Sequence, residues 1–228
     1  MYRSLSLSVW FILVVFIIAT TASLAKDLKP IELPKPNMKG GKPLMEALKA
    51  RQSIRTYTDQ KLSNQMLSDM LWAAFGINRP EEGKRTAPSA RNWQETDIYV
   101  ALEEGVYIYN PVENVLEPVV AGDHRAQTGV QLFVKDVPCN LVYVADYSRM
   151  AEIEEPFKDY YSAADCGFIG QNVYLYCASV GLGTVVRAVI ERDELAKTLK
   201  LREDQRIVLA QSVGYPRIIK KTEPGKMR

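Results

Sequence analysis

The order of patterns along these 228 residues predicts an α+β domain. Three observations carry that expectation. Helical periodicity opens the folded part and strand chemistry fills its middle, without the strict alternation of a doubly wound sheet. A long, nearly all-apolar stretch at 159–180 reads as one buried helix ending on Gly181. No glycine-rich nucleotide loop follows any strand, neither a GxGxxG nor a P-loop. The expected arrangement is a central antiparallel or mixed sheet flanked by helices, as one domain with extensions.

The first 25 residues read as an export signal. Arg3 supplies the positive start, Val9 to Ala19 is unbroken apolar sequence, and Ser23-Leu-Ala25 places small residues before a cleavage point. The apolar run is shorter than the ~20 residues a spanning helix needs. Cleavage after Ala25, and a periplasmic or secreted location, are expected; an uncleaved anchor is the alternative. Residues 26–42, with Pro30, Pro34, Pro36, several lysines and Gly40-Gly41, read as a linker or extended arm. Residues 43–228 form the expected domain.

Within that domain Leu44, Ala47 and Leu48 have helical spacing behind Pro43. Arg51–Thr58 reads as extended. Ser63 caps a second helix, and Met66, Leu67, Met70, Leu71, Ala74 and Phe75 line one face of it up to Gly76. Residues 78–94 form a polar loop of functional length. Ile98–Leu102 and Val106–Tyr109 flank a Glu-Glu-Gly turn as a hairpin, with Val115–Val120 as the next strand. Asn140–Ala145 is a buried strand, 192–199 a helix, and Arg206–Ala210 a last strand before Gly214-Tyr-Pro216.

Composition excludes several functions. The formal net charge is +2 and no basic stripe stands out, so nothing points to nucleic acid. His124 is the only histidine, which argues against a histidine-built metal site. Cys139, Cys166 and Cys177 lack a CxxC spacing or a nearby histidine and read as buried free thiols. No nucleophile or acid–base pair is evident.

One short segment does carry chemistry. In an extended chain Arg51, Ser53 and Arg55 point the same way. Two guanidinium forks and a hydroxyl match the oxygens of a phosphate dianion. A solvated basic stretch is the competing reading of the same residues.

The context resembles the nitroreductase family of flavin enzymes. A helix, Arg51-Gln-Ser-Ile-Arg-Thr-Tyr57 and Leu71-Trp-Ala-Ala-Phe-Gly76 are similar to the family's opening. Ala87-Pro-Ser-Ala-Arg-Asn92-Trp-Gln94, Gly181-Leu-Gly-Thr-Val-Val186, Leu209-Ala-Gln-Ser-Val-Gly-Tyr-Pro216 and the basic tail Lys226-Met-Arg228 follow in family order.

That resemblance implies a homodimer holding flavin mononucleotide (FMN) at its interface. It implies that Arg51, Ser53 and Arg55 contact the phosphate and ribityl chain, and that Asn92 reaches the ring edge. Lys226 and Arg228 would return to the phosphate. A backbone amide near the ring's N5 would come from Val186. Where many members carry a Glu-Gly pair, this chain has Val185-Val-Arg187, so Arg187 would face the ring or the substrate. NADH or NADPH would deliver electrons to the flavin and leave, and a nitroaromatic or quinone-type acceptor would collect them in the same pocket. Trp93, Arg91 and Tyr99 are candidate lining groups. Two alternatives stand beside this: a dehydrogenase like the SagB branch, oxidising thiazoline and oxazoline rings, and a non-catalytic flavin-binding protein. A binding module without flavin, in which Arg51 and Arg55 make surface salt bridges, is a third.

Overall fold

A computed structural model describes residues 27–150 and 152–217 of the chain. The expected signal at 1–25 and the tail residues Lys226 and Arg228 lie outside the described residues. A seven-stranded antiparallel sheet forms the centre. Its strands are β1 (Ile31–Glu32), β4 (Thr96–Ala101), β5 (Gly105–Asn110), β6 (Val115–Ala121), β7 (Cys139–Asp146), β8 (Gly183–Arg187) and β9 (Gln205–Gly214), in the order β1-β6-β5-β4-β7-β9-β8. A small ribbon pairs β2 (Ile77–Arg79) with β3 (Lys84–Arg85). The α+β expectation holds, and the sheet is antiparallel throughout.

Among the described residues four α-helices surround the sheet: α1 (Leu44–Ala50), α2 (Asn64–Phe75), α3 (Glu155–Val180) and α4 (Arg192–Leu199). Ser63 starts α2 by accepting the Met66 N–H on its hydroxyl at 3.2 Å, a cap worth about 1 kcal/mol. Gly76 ends it. The face of α2 read from the sequence, Leu67, Met70, Leu71, Ala74 and Phe75, packs with Cys166, Ile169, Val173 and Cys177 of α3 against one side of the sheet. Leu195 and Leu199 of α4 close the other side over Tyr99, Val142, Val144 and Ala210. The three cysteines are free and buried.

Two segments depart from expectation. The stretch read as a linker or arm is tied to its own domain. Ile31 pairs with Leu116 at the sheet edge, Leu33 is buried, and the side-chain amide of Asn114 donates to the Pro34 carbonyl at 2.9 Å. Alternating Ile31 and Leu33 give this proline-rich stretch an apolar face, and an edge strand tolerates proline. The long helix is not buried all round. Ser162, Cys166, Ile169, Gly170, Val173 and Cys177 face the core, while Ala163, Ala164, Gly167, Phe168 and Gln171 are exposed.

The contact between α3 and the sheet is close. A Cβ added at Gly170 would lie 3.2 Å from Val186 Cγ2 and 3.3 Å from Gln211 Oε1. Beside it runs a buried polar chain. Tyr143 donates to Gln211 Oε1 at 2.6 Å, Gln211 Nε2 to Thr184 Oγ1 at 2.9 Å, and Thr184 Oγ1 to the Ser212 carbonyl at 2.8 Å. Each polar group is satisfied, so the network fixes β8 without a burial penalty. Replacing Gly170 with Val should overpack this contact and lower the unfolding free energy by roughly 1–3 kcal/mol, read from urea denaturation.

Candidate functional site

Arg51–Thr58 leaves α1 as extended chain and docks along the free edge of β8. Ser53 bridges Thr184, and the Ile54 N–H donates to the Thr184 carbonyl at 3.0 Å. On its other side the same segment meets the end of the described chain: Tyr57 bridges Pro216, and the Arg217 N–H donates to the Thr56 carbonyl at 3.0 Å.

Tyr174 of α3 joins these pieces. Its hydroxyl lies 2.9 Å from Ser53 Oγ and accepts the Val186 N–H at 3.0 Å. The Arg51 guanidinium stands over the Tyr174 ring, 5.4 Å from its centroid, an attractive cation–π geometry. Arg55 is exposed. Among the described residues neither Arg51 nor Arg55 forms a salt bridge. A cleft of about 180 Å³ lies alongside, lined by Gln52, Ile54, Tyr174 and Thr184. Arg51, Ser53 and the Val186 backbone are thus brought together, with Arg55 on the same strand. Tyr174 was not singled out in the sequence. It is one of four tyrosines in α3, and nothing local in the sequence sets it apart from Tyr160, Tyr161 and Tyr176; a half-buried phenol needs a polar partner, and that partner lies far along the chain.

Asn92 sits on a separate loop. Arg91, Asn92 and Gln94 all have positive φ, 48°, 58° and 50°. Asn tolerates that region, but Arg and Gln adopt it at a cost. Hydrogen bonds hold the loop in place. Gln94 Nε2 donates to the Gly83 carbonyl at 2.8 Å and to Asn92 Oδ1 at 3.1 Å, and Arg85 Nε donates to Gln94 Oε1 at 2.7 Å. The Ala90 N–H donates to Asp165 Oδ2 of α3 at 3.0 Å. Asp165 and Tyr174 are nine residues apart on one helix, roughly 13 Å of rise. The two clusters therefore suit an elongated ligand that is anionic at one end. Beside Asn92 a groove of about 490 Å³ is lined by Arg85, Trp93, Gln94, Tyr109 and Arg149. Of the candidate lining groups, Trp93 packs edge-on against Tyr161 at 5.7 Å and carries Arg91 over its ring, whereas Tyr99 is buried in the core.

Arg187 does not join either cluster, which corrects the expectation that it faces a ring or substrate. Side chains alternate across a strand. Val186 points at Gly170 of α3, so Arg187 points to the opposite side of the sheet. There it is buried. Its Nη1 donates to the Thr128 carbonyl at 2.7 Å, Nη2 to Asn140 Oδ1 at 3.1 Å, and Nε to Ser212 Oγ at 3.1 Å. Among the described residues no carboxylate balances it, and burial pulls the guanidinium down to about 10. A Cβ on Gly129 would fall 1.8 Å from Arg187 Nη1, so a side-chain-free residue admits this contact. Arg187 is a structural crosslink between β7, β9 and the 125–129 turn.

Among the described residues there is no cluster of three or more metal-ligating side chains, and no helix is long and apolar enough to cross a membrane.

Comparison with known proteins adds a relationship. The model of the nitroreductase family matches residues 48–215. A candidate nitroreductase of Methanocaldococcus jannaschii is 32% identical over 170 residues, covering 70% of this chain and 85% of that protein. The crystal structure of a candidate nitroreductase from Ralstonia eutropha superposes with a TM-score of 0.81 at 43% identity, over 85% of this chain and 92% of that one. The NADPH:FMN oxidoreductase of Vibrio harveyi, solved with NAD+, shares the fold at 21% identity and a TM-score of 0.57, over 80% of this chain and 72% of that one.

Removing Arg187 leaves four acceptors without their charged donor. Arg187→Ala should therefore lower the unfolding free energy by about 3 kcal/mol or more, measured by urea denaturation.

Proposed function

The chain belongs to the nitroreductase family of flavin oxidoreductases, and from that premise we propose that it binds FMN and reduces nitroaromatic or quinone-type acceptors with electrons from NADH or NADPH, in alternating half-reactions at one site. The observation that carries this reading is the pair of arginines. Arg51 and Arg55 flank Ser53 on an extended segment, and neither is neutralised by a carboxylate among the described residues. Guanidiniums held this way favour a phosphate dianion, which accepts bidentate hydrogen bonds from both. The flavin-free surface reading needs salt bridges at Arg51 and Arg55, and none forms among the described residues.

The residues present fit the group. Arg51, Ser53 and Arg55 would hold the phosphate, with Lys226 and Arg228 of the tail as further candidates. Asn92, whose side-chain oxygen is already taken by Gln94, offers its Nδ2 donors to the ring edge. Tyr174 orients both Ser53 and the Val186 backbone. When bound, FMN supplies the two-electron redox chemistry, and the protein's task is to bind, orient and exclude water. This fits a site with no histidine, thiolate or nucleophile. The cysteines take no part: burial pushes Cys139 and Cys166 up to about 12 and Cys177 higher still.

A second copy of the chain completes this reading. α1 exposes Leu44, Met45 (74% exposed) and Leu48, and the adjoining α3 exposes Phe157, Tyr160 (70%) and Phe168 (49%). Exposed apolar side chains along two packed helices are typical of a surface that another subunit covers. We also propose export, on the sequence of residues 1–25 alone; a mature N-terminus at Lys26 would support cleavage after Ala25, and an intact Met1 would leave the uncleaved anchor in its place.

Anaerobic mixing with NADH or NADPH should bleach the flavin absorption of the purified protein, and a quinone or nitroaromatic should restore it. A bound flavin that neither nucleotide reduces would leave the azoline-oxidising and non-catalytic readings in its place. Arg51→Ala and Arg55→Ala should each raise the Kd for FMN by about 10- to 100-fold, as expected for losing one charge-assisted contact, measured by fluorescence quenching. Phe168→Glu should convert the dimer to monomer in sedimentation velocity.

A further inference from the structure

Glu95 lies between the Asn92 loop and β4. It is wholly buried, 0% exposed. Neither of its carboxylate oxygens meets an N–H or hydroxyl among the described residues. Asp165 of α3 lies under the same loop, itself only 4% exposed and bound to the Ala90 N–H at 3.0 Å, and its charge acts on Glu95. Two buried carboxyls can bond each other only when a proton sits between them, because two like charges at such a site repel. Arg149 is the cation whose charge bears on it. Its guanidinium is already engaged by Asp97 at 2.9 Å and by the Gln94 carbonyl at 2.8 Å. Cys166 faces the same spot from α3, with Thr96 Oγ1 at 3.6 Å. Its thiol is neutral near pH 7, being pushed up to about 12 by burial.

We propose that Glu95 and Asp165 share one proton, and that this carboxyl–carboxylate pair is the clamp that positions Asn92 and opens when the proton leaves. The clamp runs through named atoms. The protonated Glu95 carboxyl donates to Asp165, and Asp165 Oδ2 accepts the Ala90 N–H at 3.0 Å. The loop it secures holds Arg91, Asn92 and Gln94 in the left-handed region. Such backbone persists only where its surroundings over-determine it. Asp165 is the partner that stays ionised, because it accepts the Ala90 N–H; Glu95 is the acid, because neither of its oxygens has a donor among the described residues. When solvent base removes the proton, two negative charges face each other under a strained loop.

The pH window follows from these environments. Burial first, then the charge of Asp165, raises Glu95 from 4.5 to about 7. The clamped state therefore holds a proton that an opened, hydrated loop would release. Its advantage is full below about pH 4.5, falls as pH rises, and is gone above about pH 7. Glu95 is thus a positioning residue that acts on the site through Asp165 and Ala90.

Hydrogen exchange of the loop amides at 89–94 in the full chain without flavin tests the clamp directly. After correction for intrinsic exchange, their protection should fall by roughly tenfold or more between pH 5 and pH 8. Glu95→Gln keeps a donor to Asp165 but cannot titrate, so its protection should be flat. Asp165→Asn removes the neighbouring charge, so the fall should move to lower pH; this variant and the wild-type profile carry the test if Glu95→Gln does not fold. Constant wild-type protection, or the same fall in Glu95→Gln, would overturn the proposal. The consequence for Asn92 rests on the flavin reading. There the Kd for FMN should weaken with rising pH more in the wild type than in Glu95→Gln, the paired comparison cancelling ionisation of the FMN phosphate itself. Loss of protection without any FMN binding would uphold the clamp and sink the flavin reading. FMN binding with pH-independent protection would do the reverse.

Discussion

One helix sets the geometry on which the rest of this protein depends. α3 carries Asp165, Gly170 and Tyr174 at successive levels, and each fixes a different part of the site. Asp165 holds the Asn92 loop through the Ala90 N–H. Gly170 lets the helix settle against Val186 and Gln211. Tyr174 ties Ser53 to the Val186 backbone. A packed helix has a fixed rise, so the distance between the loop and the arginine segment is set by a rigid element rather than by either segment. The buried Tyr143–Gln211–Thr184 chain does the same for β8 from the sheet side.

The two kinds of arginine show how electrostatics separates function from structure here. Arg187 is buried and surrounded by neutral acceptors that satisfy its donors, which leaves nothing for a ligand to gain. Arg51 and Arg55 are at the surface, without carboxylate partners among the described residues, and Arg51 is steadied by an aromatic face. Such cations gain most from an incoming dianion, because no existing ion pair has to be broken first.

Much of the fold was legible in the sequence where local rules act alone. Ser63 and Gly76 bound α2 as their chemistry dictates, and the Glu-Glu-Gly turn set the β4–β5 hairpin. Three features were not legible. The exposed side of α3 was hidden because its outward residues, Ala163, Ala164, Gly167 and Phe168, are as apolar as the inward ones, so periodicity gave no contrast. β8 is a five-residue edge strand directly after a helix-ending glycine, and its pairing with β9 is a tertiary fact. The direction of Arg187 followed from that pairing and could not precede it. In the site, the phosphate-type arginines were visible from spacing alone. Tyr174 and the Glu95–Asp165 pair were not, since both depend on contacts across long sequence separations.

The central claim is that Arg51, Ser53 and Arg55 form the phosphate end of a flavin site whose other end is the Asn92 loop. A crystal structure of the protein grown with FMN tests it most directly. The account predicts the phosphate between the two guanidiniums, within hydrogen-bond distance of Ser53 Oγ, and the ring edge at Asn92. Flavin seated elsewhere, or crystals without flavin at saturating FMN, would contradict it.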